Sequence, residues 1–115
     1  MEIRYIEERP WGSFEQFTTN EISTVKILNV KSNSKLSYQY HNNRTELWRI
    51  IEGEGTIVLD DKELQAKKGD EFIIPKKAKH RIITAENELK VLEISFGEFD
   101  ETDIVRLSDK YGRVR

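Results

Sequence analysis

The sequence predicts an all-β fold, a sandwich or barrel, and three features of its 115 residues carry that prediction. Short runs rich in β-branched and aromatic residues recur between polar or glycine-containing breaks, at roughly 13–18, 24–30, 36–41, 46–52, 55–59, 72–74, 80–84 and 89–96. Helical periodicity is sustained nowhere, and only the segment from Glu101 to Asp109 has room for one short helical turn. The breaks themselves have turn chemistry: Glu52-Gly53-Glu54-Gly55 between two apolar runs, and Asp60-Asp61-Lys62 ahead of Leu64, both read as hairpin turns. The middle of the chain is therefore expected to be a meander.

Size and charge exclude several classes. A chain of this length is expected to be one domain, residues 1–115, which leaves no room for a separate nucleotide fold. With 37% hydrophobic residues it can bury a modest core, and with 35% charged residues its surface is densely ionic. Nineteen Lys and Arg against twenty-one Asp and Glu give a formal net charge of -2, unlike a dedicated nucleic-acid binder. The Lys76 to Arg81 run is accordingly not read as a nucleic-acid patch. The absence of Cys removes disulfides, thiolate zinc sites and cysteine nucleophiles. The opening MEIRYIEERPWG alternates charge with isolated apolar residues, so no membrane segment is expected and a cytoplasmic location is.

Taken in order, the elements separate core from site. Near the start, Trp11 after Pro10 is expected to pack an N-terminal segment onto the body of the fold. In 36–41, period-2 alternation puts Leu36, Tyr38 and Tyr40 on one face and Ser37, Gln39 and His41 on the other. That strand fits equally a barrel wall whose polar side lines a cavity and a sandwich strand whose polar side is wet. Gln39, His41 and Glu46 stand at i, i+2 and i+7. The first two share a strand face, and the third can return to the same place after a tight turn. His80, five residues after Pro75, supplies a fourth donor from another strand. Imidazole nitrogens with amide and carboxylate oxygens suit one divalent ion such as Zn, Mn, Fe, Co or Ni. Trp48 shares a face with Glu46 and Ile50 as cavity wall or core, and Gly12, Gly53, Gly55 and Gly69 most simply serve turns.

These residues resemble the cupin superfamily. Its first motif, Gly-x5-His-x-His-x(3,4)-Glu-x6-Gly, is matched from Asn33 to Gly53, with Asn33 at the leading Gly and Gln39 at the first His. Its second, Gly-x5-Pro-x-Gly-x2-His-x3-Asn, is matched from Gly69 through Pro75 to His80, with Lys77 for the Gly and Thr84 for the Asn. A narrower likeness spans nearly the whole chain. The Arg9-Pro10-Trp11-Gly12 opening, Arg44-x-Glu46-x-Trp48, His80-Arg81 and the tail from Gly97 through Asp103-Ile104-Val105-Arg106 to Asp109-Lys110-Tyr111-Gly112-Arg113 resemble the type II mannose-6-phosphate isomerases. That cupin domain is also found fused behind mannose-1-phosphate guanylyltransferases. Family members tend to carry His where this chain has Asn42, Asn43 and Leu47.

The resemblance implies a cupin double-stranded β-helix, a jelly-roll barrel over about residues 24–97, with a short N-terminal strand extension and a short C-terminal tail. It implies a homodimer and a metal-dependent isomerase interconverting mannose 6-phosphate and fructose 6-phosphate for GDP-mannose synthesis. Gln39, His41, Glu46 and His80 would hold the ion. The phosphosugar would be met by Arg44, Arg81, Arg106 and Lys110, with Arg44 the foremost contact to phosphate or enediolate. The base is open: Glu93, if it faces inward among apolar neighbours, or a hydroxide generated at the ion. An outward, salt-bridged Glu93 is the competing reading, slightly favoured from sequence alone. Two other functions stay open. One is a noncatalytic sugar-binding cupin that partners a sugar nucleotidyltransferase; the other is an isomerase or epimerase of a different phosphosugar or nucleotide sugar.

Overall fold

The computed structural model describes residues 5–108, and among them the chain forms ten strands and no helix. These are β1 (Tyr5–Arg9), β2 (Gly12–Gln16), β3 (Ser23–Val30), β4 (Tyr38–Tyr40), β5 (Glu46–Leu59), β6 (Lys62–Lys67), β7 (Glu71–Ile74), β8 (His80–Ile83), β9 (Leu89–Phe96) and β10 (Val105–Ser108). The β1–β2 hairpin stands apart as an arm. The other eight form a curled antiparallel sheet in the order β10-β4-β8-β5-β9-β3, with β6 and β7 paired to β5 off that path. This is the all-β cupin-type architecture.

The long strand β5 organises everything else. Its first half, from Glu46, pairs with β7 on one side and β9 on the other; its second half pairs with β6 and β8. The expected hairpin at residues 52–55 is therefore incorrect, because the chain continues through Gly53 and changes sheet layer there. Gly53 has φ +90°, and a Cβ built on it would lie 1.9 Å from the Glu88 carbonyl oxygen. Glycine is required by this close backbone crossing, not by chain reversal. The turn at Asp60-Asp61 is a two-residue hairpin with both φ values positive, 47° and 69°, which suits the right-handed twist of β5 and β6.

Two motif departures keep the backbone the motif needs. Asn33 and Lys77, standing where glycines are expected, have φ +53° and +67°. Asn tolerates the left-handed region; Lys does so at a cost of about 1–2 kcal/mol. The room for one helical turn in 101–109 is not used among the described residues: after a turn at residues 101–102 the chain extends into β10 and joins the sheet edge against β4.

Alternation then divides the residues into two faces. Directly opposed residues share a face, so Trp48 lies with Glu93 and Lys26, and Glu46 lies with Ser95 and Thr24. Below them Ile50, Val91, Leu89 and Val30 join Ile57, Ile74, Ile82 and Ala66 in the core, each large aliphatic contributing about 1.5–3 kcal/mol by burial. The opposite face of the same strands carries Leu47, Ile94, Val25 and Ile73 in one row, with Arg49, Leu92 and Ile27 in the next. Trp11 is 73% exposed at the tip of the arm, so the expected packing of that ring onto the barrel is not found. The arm is tied down instead by Glu15, whose carboxylate takes two hydrogen bonds from Arg49 at 2.7 and 3.2 Å.

Candidate functional site

The short loop between β4 and β5 brings His41 and Glu46 to one hollow, and direct pairing of Gln39 with His80 across β4 and β8 aims both at it. Ligand atoms of His41, Glu46 and His80 all lie within 4.8 Å of one another, and all three residues are buried. The Gln39 Oε1 and His80 Nε2 atoms are buried with no hydrogen-bond partner. Each such orphan costs about 1–3 kcal/mol, a cost that a cation accepting their lone pairs would remove. The donor set therefore fits a divalent ion held by these four residues.

Both imidazoles are oriented from behind. His41 Nδ1 lies 2.7 Å from the Asp103 carbonyl oxygen and His80 Nδ1 2.9 Å from that of Ala78. A ring nitrogen so close to a carbonyl must carry the proton and donate it, which leaves Nε2 of each ring as the lone pair facing the hollow. Burial lowers the pKa of both rings, that of His80 to about 4, so they are neutral near pH 7, as ligands must be. Burial alone would raise the Glu46 carboxyl, but His41, Arg44 and His80 around it more than reverse this and hold it below the usual range.

Arg44 stands inside the cluster. Its Nε donates to Glu46 Oε2 at 2.8 Å and its Nη2 to His41 Nε2 at 3.2 Å, while Nη1 reaches the Asp100 carbonyl oxygen at 3.2 Å. Trp48 Nε1 donates to Glu46 Oε1 at 3.1 Å, and Ser95 Oγ to Oε2 at 3.2 Å. The carboxylate is thus fixed from three sides before any ligand arrives.

Glu93 is buried on the inward face, contrary to the outward orientation that sequence alone slightly favours. Burial, reinforced by the charge of Glu46, raises its pKa to about 7. It is two residues along β9 from Ser95, a spacing of roughly 7 Å.

The four expected anion contacts separate. Arg44 and Arg106 line one cleft of about 460 Å³, together with Lys26, Phe99, Glu101, Thr102 and Ile104. Arg81 alternates with His80 along β8 and so points away: its Nε donates to the Leu36 carbonyl oxygen at 3.0 Å and its guanidinium lies over Tyr38. The expectation of a phosphate contact there is corrected, because adjacent strand residues face opposite ways. Lys110 lies outside the described residues. The aromatic side of β4 has its cover from Arg81 and Lys79 over Tyr38, whose hydroxyl donates to Asp61 at 2.6 Å.

Sequence reasoning missed Asp103 as a clamp. Its carboxylate accepts from the Asn42 and Asn43 amides, both at 2.9 Å, while its carbonyl holds His41. The Asp103-Ile104-Val105-Arg106 motif was the available signal: it sets Val105 against Tyr40 and Arg106 against Gln39, locking the ligand strand in register. Lys26 and Phe99 were also missed, since nothing local distinguishes them. Leu47, at a family His position, is buried on the outer face, so that departure does not alter the hollow.

Comparison with known proteins adds a family to this geometry. The family model described as "Mannose-6-phosphate isomerase C-terminal" matches residues 2–109. The alginate biosynthesis protein AlgA of Pseudomonas aeruginosa is 34% identical over 107 residues, which are 91% of this chain and 22% of that protein. A mannose-1-phosphate guanylyltransferase of Escherichia coli is 31% identical over 108 residues, 92% of this chain and 23% of that protein. The chain thus spans less than a quarter of the length of these curated relatives. A solved cupin protein from Bacteroides fragilis superposes with a TM-score of 0.61 at 18% identity, covering 76% of this chain and 78% of that one.

Proposed function

From the premise that this chain belongs to the mannose-6-phosphate isomerase C-terminal family, we propose a cytoplasmic, metal-dependent isomerase that interconverts mannose 6-phosphate and fructose 6-phosphate. The observation that carries the reading is Glu93: a buried carboxyl with a pKa near 7, on the same sheet face as Glu46 and one row from it. Gln39, His41, Glu46 and His80 would hold one divalent ion. When bound, such an ion polarises the substrate carbonyl and stabilises negative charge developing on its oxygens.

The remaining work falls to side chains of the chain itself. Glu93 takes the proton from C2 and returns it to C1, while the hydroxyl proton passes from O2 to O1, so the carboxylate ends as it began. A base with a pKa near 7 is half deprotonated at neutral pH and strong enough to accept a proton, which a solvated carboxylate is not. Arg44, already turned toward the cluster, faces the enediolate charge. Trp48 walls the hollow beside Glu46 and helps to keep water from it.

A coupled assay on metal-loaded protein tests this. Turnover of mannose 6-phosphate, abolished by chelator and by His41→Ala, with elemental analysis showing that the variant loses its metal, supports the isomerase. Sugar binding without turnover favours the rival, a binding module working beside a sugar nucleotidyltransferase, a reading that draws on the names of the guanylyltransferase relatives. Turnover of another phosphosugar in place of this one would retain the chemistry and change the substrate.

The proposal includes a homodimer through the outer face of β7, β5, β9 and β3. Val25 and Ile27 are more than half exposed there, and the one Arg in the middle, Arg49, is neutralised by Glu15 and Glu71. On so ionic a chain a face that carries Leu47, Ile94, Val25, Ile73, Leu92 and Ile27 in two adjoining rows is best complemented by its own copy, which brings the same surface across a two-fold axis.

A further inference from the structure

The segment after β9 lies across one side of the site, and none of residues 97–108 is fully buried. It gains little from the apolar core and is held by polar and aromatic contacts, which places it among the parts of a fold that open at low cost. The hydrogen bonds and strand pairings that tie residues 99–106 to the rest of the chain converge on one short stretch, residues 39–44. That stretch carries Gln39 and His41, two of the four candidate metal ligands, and Arg44, which stands among them. The same backbone therefore anchors the segment and presents the ligands.

Asp103 is the centre of this attachment. Its carbonyl accepts from His41 Nδ1 at 2.7 Å, and its two carboxylate oxygens accept one amide each, from Asn42 and Asn43, both at 2.9 Å. A carboxylate gripped by two consecutive amides fixes the position of residue 103 and so keeps its carbonyl on the imidazole. An Asn side chain has one acceptor oxygen and would turn an N–H toward the second amide, so it could hold only half of this grip. Beside it, the Asp100 carbonyl accepts from Arg44 Nη1 at 3.2 Å, and the Phe99 ring centroid lies 4.5 Å from the guanidinium carbon.

These contacts give the sign of a coupling between the segment and a bound ion. A cation on His41 Nε2 draws electron density from the ring and makes Nδ1–H a stronger donor, which tightens the bond to the Asp103 carbonyl. The cation also takes Glu46 and the His41 lone pair from Arg44, leaving the guanidinium its contacts in this segment, the Asp100 carbonyl and the Phe99 ring. Both changes favour the docked segment. By linkage, a docked segment then raises affinity for the ion by the same factor.

We infer that residues 99–106 form a strap whose docking is coupled to occupancy of the metal ligands, with Asp103 the positioning residue that joins the two. The strap closes when the ion binds and loosens when it leaves. This rests on the metal-binding part of the proposed function, and not on the isomerase reaction or its substrate.

The test is amide hydrogen exchange across residues 99–106 of the full-length protein, with and without bound cobalt(II), alongside cobalt(II) affinity from its visible spectrum and the melting temperature. In the wild type, cobalt(II) should slow exchange in the strap by about 10- to 100-fold relative to chelator-treated protein. Asp103→Ala should bind cobalt(II) about 10- to 100-fold more weakly, with strap exchange no longer responsive to the ion. Asp103→Asn, which keeps one acceptor, should fall between. Glu101→Ala, an exposed position of the same segment, should behave as the wild type in both measurements. If Asp103→Ala lowers the melting temperature but leaves cobalt(II) affinity and spectrum unchanged, Asp103 is merely structural and the coupling is overturned. The wild-type comparison decides without any variant: equal strap exchange with and without bound cobalt(II) overturns the coupling and leaves the metal site standing. A wild type that binds no cobalt(II) removes both. A metal-responsive strap on a protein that turns over no mannose 6-phosphate upholds the coupling, and only the isomerase reading falls.

Discussion

Arg44 and Glu46 form an ion pair at 2.8 Å inside the barrel mouth, with side chains 9% and 1% exposed. Only one residue separates them in the chain, and the turn between β4 and β5 folds the guanidinium back over the carboxylate. Because Arg44 also donates to His41 Nε2, it occupies a lone pair that a metal ligand must offer. In the metal-free protein Arg44 compensates the buried carboxylate; an incoming cation must take over that role.

Arg44→Ala should therefore separate stability from metal affinity. Removing one partner of a buried pair costs about 3–5 kcal/mol, so the chelator-treated variant should melt well below the wild type. Added divalent metal should recover more of the melting temperature in the variant than in the wild type, because Glu46 is then left unpaired without it. With mannose 6-phosphate, KM should rise while metal content stays constant. Equal thermal shifts on metal addition in both proteins would show that Arg44 and the ion do not share ligands.

Glu93 sets the expected pH dependence. The proton-accepting form is the carboxylate, so kcat/KM should fall as pH drops through about 7, and Glu93→Gln should lose about 10²–10⁴ in rate. Stability moves the opposite way. The folded pKa is raised above the unfolded value, so the folded state binds more protons between about 4.5 and 7, and stability from this group falls as pH rises through that window. Glu93→Gln should accordingly stabilise the protein at neutral pH, by on the order of 3 kcal/mol, while disabling it. A variant that melts lower at pH 7 would contradict this account of Glu93.

Backbone positions give a test independent of chemistry. Gly53→Ala drives a Cβ into the Glu88 carbonyl, where backbone rather than a movable side chain opposes it, and should cost several kcal/mol in urea denaturation. Gly69→Ala, at φ +94° but with nothing within 4 Å of the new atom, should cost clearly less. Lys77→Gly should stabilise, by about 1 kcal/mol, since it relieves a left-handed lysine.

Self-association is checked by sedimentation. The wild type is expected to be a dimer, and Ile27→Glu, which replaces an exposed apolar side chain of this face by a carboxylate, should shift it to monomer with its far-ultraviolet spectrum unchanged. A wild type that sediments as a monomer at all concentrations would refute the interface.

Much of the site was legible in order and spacing. Gln39, His41, Glu46 and His80 could be grouped because alternation fixes which strand residues share a face; the structure brings His41, Glu46 and His80 together and pairs Gln39 directly with His80. The sheet switch at Gly53 was not legible, because a glycine in a turn and a glycine under a crossing backbone look alike in one dimension. Glu93 shows the same boundary: alternation links it to Val91 and Leu89, but which face is inward depends on the register of β9 against β5.

By itself the sequence determined the strand-rich class, the grouping of His41, Glu46 and His80 and the family likeness, because periodicity and residue chemistry are local. Tertiary structure alone decided that Arg44 lies among the ligands, that Arg81 points away and that Lys26, Phe99 and Arg106 meet in one cleft. Those residues come from β3, the segment after β9 and β10, brought together only by pairing across long stretches of chain. Sheet pairing of that kind leaves no mark within any short window of sequence, and it sets where charge collects.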